Sequence, residues 1–136
     1  EGPYRRDVGP QQEALREALV NLLVHADYAE RGASLVLRHE EGFTLRNPGT
    51  SRVAEADLLT AGRSDPRNPR LVRMFRMVGM AEQAGSGFPR IRRAWREAGF
   101  SGPRVVSDPG RYEFILVLSY ALLIPDDDRA WLASLG

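Results

Sequence analysis

Apolar positions recur at helical spacing through the first quarter of the chain. Between Gln11 and Tyr28, Leu15, Leu19, Leu22, Leu23 and Ala26 fall on one side of a helix turning about 100° per residue, while Glu17, Asn21, His25 and Tyr28 line up on the other. The pattern predicts one helix, about 11–26, with a core face and a polar face. An ordinary amphipathic helix also shows polar groups to water. Here, though, Val20 and Val24 flank the row, and Asn and His stand where Glu, Lys or Arg would suit an exposed helix better. The row is therefore candidate chemistry as well as a candidate solvated face.

Alternation with period two follows. Ala33–His39 and Phe43–Asn47 read as strands joined through Glu40-Glu41-Gly42, with Leu35, Leu37, Phe43 and Leu45 expected to face one layer. Asn47-Pro48-Gly49-Thr50-Ser51 breaks the second strand, and Ser51 is expected to cap a short helix near 53–60. After a polar loop, Asn68 and Pro69 form an N-cap and first-turn pair for a helix carrying Leu71, Val72, Met74, Phe75 and Val78, which Gly79 should end. Gly85-Ser86-Gly87 opens a helix over 88–98, with Ile91, Ala94, Trp95 and Ala98 as its stripe beside Arg90, Arg92, Arg93 and Arg96, and Gly99 should close it. Arg104–Ser107 and Arg111–Tyr120 read as two more strands meeting at Pro109-Gly110, with Tyr112, Phe114, Leu116 and Leu118 alternating along the longer one.

These elements add up to an α/β (α+β) chain: a two-layer sandwich with helices on one face of a mixed, mostly antiparallel sheet. Residues 1–10, with Pro3, Gly9 and Pro10, read as a linker and 11–120 as the domain. Residues 121–136 are expected to start a following helix or domain, with Asp126-Asp127-Asp128 as an acidic first turn before Ala130, Trp131, Leu132 and Leu135.

Composition narrows the chemistry. With 43% apolar residues, 136 residues suffice for one core. The absence of cysteine excludes disulfides and thiolate metal sites. No run of roughly 18 apolar residues and no signal-peptide pattern is present, so no membrane partner is expected and the chain is read as cytoplasmic. All nineteen basic residues are arginine, which rules out a phosphate-loop lysine, a Schiff base and a lysine general base. The net charge of +1 conceals a basic segment, since residues 63–104 hold ten Arg against Asp65, Glu82 and Glu97. Such a segment suits phosphate or nucleic acid, and equally a solvated surface.

Four landmarks occur in order: Glu17-Ala-Leu-Val-Asn21 with His25-x-Asp27-Tyr28, then Asn47-Pro48-Gly49, Pro66-Arg67-Asn68-Pro69, and Gly85-Ser86-Gly87-Phe88-Pro89-Arg90-Ile91. They resemble the GHKL (Bergerat-type) nucleotide-binding fold shared by gyrase, Hsp90, MutL and histidine kinases. More closely, about residues 11–120 resemble the C-terminal domain of RecG-related ATP-dependent helicases and of Schlafen/AlbA-type transcriptional regulators. The resemblance implies ATP and Mg²⁺ as cofactors. It casts Glu17 as the catalytic group that orients or deprotonates water and Asn21 as a Mg²⁺ ligand bridging phosphates. Residues at i and i+4 on a helix lie about 6 Å apart, close enough to share a metal-bound phosphate.

The resemblance also casts Asn47 and Gly49 as base-recognition positions, Gly85 and Gly87 as a glycine-rich lid, and Arg67 and Arg90 as neutralisers of phosphate. Where the superfamily carries an aspartate, this chain has Asn47. Its oxygen still accepts from an adenine amine, without charge assistance. The implied function is an ATP-binding regulatory module, with Mg²⁺-dependent ATPase activity if Glu17 acts on water, within a DNA-associated transcriptional regulator or RecG-related protein. DNA would be engaged through neighbouring domains, and a homodimer is among the expected partners.

Two other readings remain. One is a non-catalytic dimerisation or DNA-contacting scaffold, in which Arg92, Arg93 and Arg96 meet phosphates. The other is a small-molecule sensor using the same pocket. A helicase motor of the G-x-x-x-x-G-K-[ST] type is excluded, because the chain has no lysine.

Overall fold

The structure, a computed structural model, describes residues 8–60, 64–80 and 87–136. Helix α1 (Pro10–His25) begins with proline at a position whose N–H has no helical partner in any case, and Glu13 N donates to Gly9 O at 3.0 Å. Strands β1 (Leu35–His39) and β2 (Gly42–Pro48) turn on Glu40 and Glu41. Helices α2 (Glu55–Thr60), α3 (Pro69–Met77) and α4 (Gly87–Glu97) follow, then strands β3 (Arg104–Asp108) and β4 (Glu113–Ser119) and helix α5 (Asp126–Ser134). The sheet runs β1-β2-β4-β3, antiparallel throughout, which makes the two-layer sandwich expected from the sequence. No described helix is long and apolar enough to cross a membrane.

The core lies between the sheet face carrying Leu45, Phe114, Leu116 and Leu118 and the paired helices α1 and α4. Phe88, Ile91, Ala94 and Trp95 are buried from α4, and Trp95 Nε1 donates to Ser119 O at 2.9 Å while its ring stacks on Tyr120. From α1 the core stripe is Ala14, Ala18 and Leu22, and Leu19, expected in the core, is 42% exposed. The two alanines let α4 approach closely, so the helix packs along a line rotated from the leucine stripe and covers part of the polar row. Glu17 is buried, Asn21 is partly buried, and Tyr28 lies beyond the helix end.

The register of the hairpin also differs from expectation. Val36 pairs with Leu45 and Arg38 with Phe43, while Leu35 and Leu37 oppose Arg46 and Thr44. Paired residues share a face, so Leu35 and Leu37 point to the outer side. The two-residue turn at Glu40 and Glu41 sets this register, and one residue of slip reverses every side chain.

Ser51 does not cap α2. Its hydroxyl bonds to Val53, and the first α2 amides, Asp57 and Leu58, donate to Ala54 O. Helix α3 buries no residue, and Met74 and Val78 stay 60% and 68% exposed, because α1 and α4 already cover the sheet. It ends as its sequence predicts, with Gly79 N on Arg76 O and Met80 N on Phe75 O. The helix expected after residue 121 forms as α5, with no buried residue.

If α4 supports the core and α3 does not, Ile91→Ala should cost about 2–5 kcal/mol, as cavity-forming substitutions do. Met77→Ala, at a side chain 83% exposed, should stay within about 0.5 kcal/mol. Urea denaturation of both variants checks the contrast.

Candidate functional site

An α-helix leaves its last carbonyls without intrahelical donors. In α1 no glycine follows to cap them, and Ala26 turns the chain into an extended conformation. The donors come instead from elsewhere. Tyr28 OH donates to Leu23 O at 2.5 Å. Asn68 donates to Val24 O from its backbone at 3.0 Å and from its side chain at 2.9 Å, and its amide also reaches Ala26 O at 2.7 Å. Arg67 Nη1 donates to His25 O at 3.3 Å and to Thr50 O at 2.7 Å. Asn68 therefore precedes α3 but spends its side chain on α1, not on capping its own helix.

The exit of β2 joins the same network. Asp27 N donates to Pro48 O at 2.9 Å, and Gly49 N donates to Tyr112 O at 2.8 Å. Tyr112 OH donates to Asp27 Oδ2 at 2.8 Å, and Ala29 N donates to Oδ1 at 3.1 Å. Asn47 is 2% exposed; with its amide oriented to satisfy both neighbours, Nδ2 donates to Phe114 O at 3.3 Å and Oδ1 accepts from Ala26 N at 3.2 Å. Three of the four landmarks thus meet around one helix end.

They enclose a pocket. Leu22, Leu45, Leu58, Phe88 and Phe114 form its apolar wall, and Asn21, His25, Asn47, Thr50, Arg52 and Arg67 its polar side. Among the described residues no carboxylate lines it. The cleft spans about 460 Å³, of which only about 30 Å³ admits the centre of a water molecule. Gly49 has φ +100, and a Cβ there would lie 2.8 Å from Arg67 Nη1, so the close approach this glycine allows is that of a guanidinium.

The fourth landmark reaches the pocket through Gly87. A Cβ on this residue would lie 2.4 Å from Asn21 Nδ2, so glycine is what lets the start of α4 close on Asn21. Asn21 Nδ2 donates to Glu17 O at 3.0 Å. Gly85 lies outside the described residues. Glu17 and Arg90 are brought to each other, with Arg90 Nη1 3.2 Å from Glu17 Oε1 and Arg90 Nε 4.0 Å from Glu13 Oε1, and neither lines the pocket. Arg93 and Arg96 are exposed and Arg92 half-buried on the outer side of α4, away from the pocket.

Charge states follow from these surroundings. Burial pushes the Glu17 carboxyl above its usual range, and Arg90 opposes that shift. Burial lowers His25 to about 4, assisted by the Arg67 guanidinium, so its imidazole is neutral at pH 7. The Tyr112 hydrogen bond, followed by that of Ala29, lowers Asp27. The same contact raises Tyr112.

Sequence reasoning did not single out Thr50, Arg52 or Phe88 as pocket-forming residues, nor Tyr112 as the partner of Asp27. Tyr112 read as the first member of an alternating strand, whereas the strand begins at Glu113 and Tyr112 has φ 51, a left-handed conformation that no local pattern announced.

His25 gives a pH prediction. Its folded pKa lies below the unfolded value of 6.5, so the unfolded state binds more protons between these values. Its contribution to stability is complete above pH 6.5 and is lost progressively as the pH falls toward 4, by up to about 3 kcal/mol. Glu17, raised by burial, works with the opposite sign as acid protonates it. Denaturant titrations at pH 7.5 and 4.5 should therefore show a smaller loss of stability in His25→Leu than in the wild-type chain.

Comparison with known proteins bears on the family and the fold. A family model described as putative ATP-dependent DNA helicase recG C-terminal matches residues 40–118. The match contains Asn47, Gly49, Arg67, Gly87 and Arg90 and starts after α1. No match is found among the curated proteins. Among solved structures, the chain is similar in fold to the DIP2311 protein from Corynebacterium diphtheriae, with a TM-score of 0.69 at 21% sequence identity over 84% of this chain. That likeness spans 24% of the other protein's chain. Because the family match runs over more than half of its residues, this chain belongs to the RecG C-terminal family, an ATPase-like domain of RecG-related proteins.

Proposed function

We propose that the pocket binds an adenine nucleotide with Mg²⁺, and that the domain serves as a nucleotide-responsive regulatory module of a larger DNA-associated protein. The observation that carries this reading is the meeting of Asn21 and Gly87 at the pocket's edge. Asn21 Nδ2 is committed to Glu17 O, which leaves Oδ1 without a partner among the described residues. Gly87, the first residue of α4, lies against it, and a helix N-terminus favours phosphate. Mg²⁺ keeps several waters and binds through nucleotide phosphates plus one or two protein oxygens. Asn21 Oδ1 fits that minimal demand, and the ion would arrive with the nucleotide, since no cluster of three His, Asp or Glu exists among the described residues.

Binding is better supported than turnover. A general base must reach its water, and the Glu17 carboxylate is buried on Arg90 instead. Hydrolysis would require that pair to open.

Mg-ATP should raise the melting temperature of the chain, and EDTA should remove most of the shift. Asn21→Ala should weaken binding about tenfold, the loss expected for one charge-assisted contact of roughly 1.4 kcal/mol. If saturating Mg-ATP moves neither the melting temperature nor the amide spectrum of the wild-type chain, the nucleotide reading fails.

A second reading, nonspecific contact with DNA, is favoured by one observation: Arg93 and Arg96 are exposed on α4, while Arg70, Arg73 and Arg76 are exposed on α3. Replacing Arg92, Arg93 and Arg96 by glutamine should weaken binding to all duplexes alike and reduce the salt slope by roughly one unit per lost phosphate contact. Selective loss of a single target sequence would contradict it.

A further inference from the structure

We propose that Arg67 is an internal stand-in for the ligand's base, closing the pocket until a nucleotide displaces it; this rests on the nucleotide reading of the same pocket. Space is the first argument. Only about 30 Å³ of the cleft admits the centre of a water molecule, and Arg67 is among the residues that line it. A base entering there meets the Arg67 side chain.

Among the described lining residues the long polar side chains are Arg52 and Arg67, and Arg67 is the one set against Gly49 and Thr50. Leu45, Leu58, Phe88 and Phe114 belong to the buried core, and Phe88 meets Phe114 edge to face with ring centroids 5.8 Å apart. Asn47 is pinned from both ends of its amide. Arg67 is half-buried; one of its nitrogens donates to two neutral carbonyls, and its guanidinium also interacts with the Tyr112 hydroxyl and ring and with the Asp27 carboxylate. On leaving, the guanidinium exchanges these contacts for water, and the Thr50 carbonyl it vacates passes to the ligand.

Chemistry points to the same residue. An aminopurine asks a site for a flat surface to lie against and for an acceptor to take its exocyclic N–H. Arg67 uses both: its planar group donates to Thr50 O at 2.7 Å, lies 5.9 Å from the Tyr112 ring centroid, and presses on the bare backbone of Gly49. Since no carboxylate lines the pocket among the described residues, the Thr50 carbonyl that Arg67 occupies is the acceptor a base amine would need.

Displacement has an address. Arg67 is followed by Asn68, which ties the chain to Val24 and Ala26, and then by α3, which has no buried residue to hold it in place. Freeing Arg67 leaves Asn68 as a hinge and lets α3 change its angle to the body of the domain, which converts ligand entry into movement of an exposed helix.

Adenosine is the discriminating probe, because it has no phosphate whose affinity would fall when a cation is removed. By calorimetry, Arg67→Met, which keeps the stem but no donor, should bind adenosine about tenfold more tightly than wild type, by raising the fraction of open pocket. Arg67→Lys should fall between them. If folded Arg67→Met binds adenosine no better than wild type while wild type binds Mg-ATP, the latch is overturned and the nucleotide reading stands. If neither chain binds adenosine or Mg-ATP, both fall. The wild-type chain gives an independent check that involves no variant: adenosine should move the Arg67 guanidinium proton resonances out of the Tyr112 ring current and speed amide exchange across residues 69–77. Arg67 resonances unmoved at saturation overturn the latch whatever the variants do.

Discussion

The structure depends on how the C-terminal end of α1 is closed. A helix that stops without glycine, facing into the molecule, presents carbonyls that must find donors or lose free energy of about 1–3 kcal/mol each. Tyr28, Arg67 and Asn68 supply those donors, and the last two do so from more than forty residues away. Capping α1 therefore fixes the loop before α3, and Asp27 N on Pro48 O fixes the exit of β2 in the same act. The pocket is the space left between these mutually dependent pieces. Its polar side is built from a helix end, a strand end and a loop, each of which would be poorly ordered alone.

Charge is distributed so that, among the described residues, no carboxylate lines the pocket. Glu17, the one acidic residue of the polar row in α1, is turned to Arg90 and buried there. Breaking such a pair by removing one partner strands the other charge, so the pairing is worth keeping even where its net contribution is small. Asp27 is likewise engaged by Tyr112 and Ala29. What faces the pocket is a neutral imidazole, two amides and two guanidinium groups, a set that repels a cation and receives an anion. This distribution also separates the groups a nucleotide would touch from the group that would activate water.

The helices and strands were legible because their periods are strong: the α4 stripe of Ile91, Ala94 and Trp95 and the alternation of Phe114, Leu116 and Leu118 appear in the core as read. Gly79 and Gly99 stop α3 and α4 where expected. The errors are of facing. Which side of α1 meets the core was decided by Ala14 and Ala18, whose small size attracts a neighbouring helix, a property invisible to a search for leucines. The face of Leu35 and Leu37 was decided by a turn one residue shorter than assumed. In the site, local rules placed Asn68 and Ser51 at turns, but Asn68 turns its side chain to α1 and not to its own helix start, and Ser51 Oγ takes Val53 N in place of an α2 amide. Long-range carbonyls of α1 won Asn68 because they lie in the interior, where an unmet acceptor costs more than an exposed helix start does.

Asn47 shows why the pocket exists at all. Along β2 the core-facing row runs Phe43, Leu45, Asn47, and a third apolar residue would continue it toward the helix layer. Leucine in that place would fill the space with carbon and leave Ala26 N and Phe114 O with no partner, so the turn from α1 would lose its tie to the sheet. Asparagine holds both with one flat amide and leaves the volume beside it open.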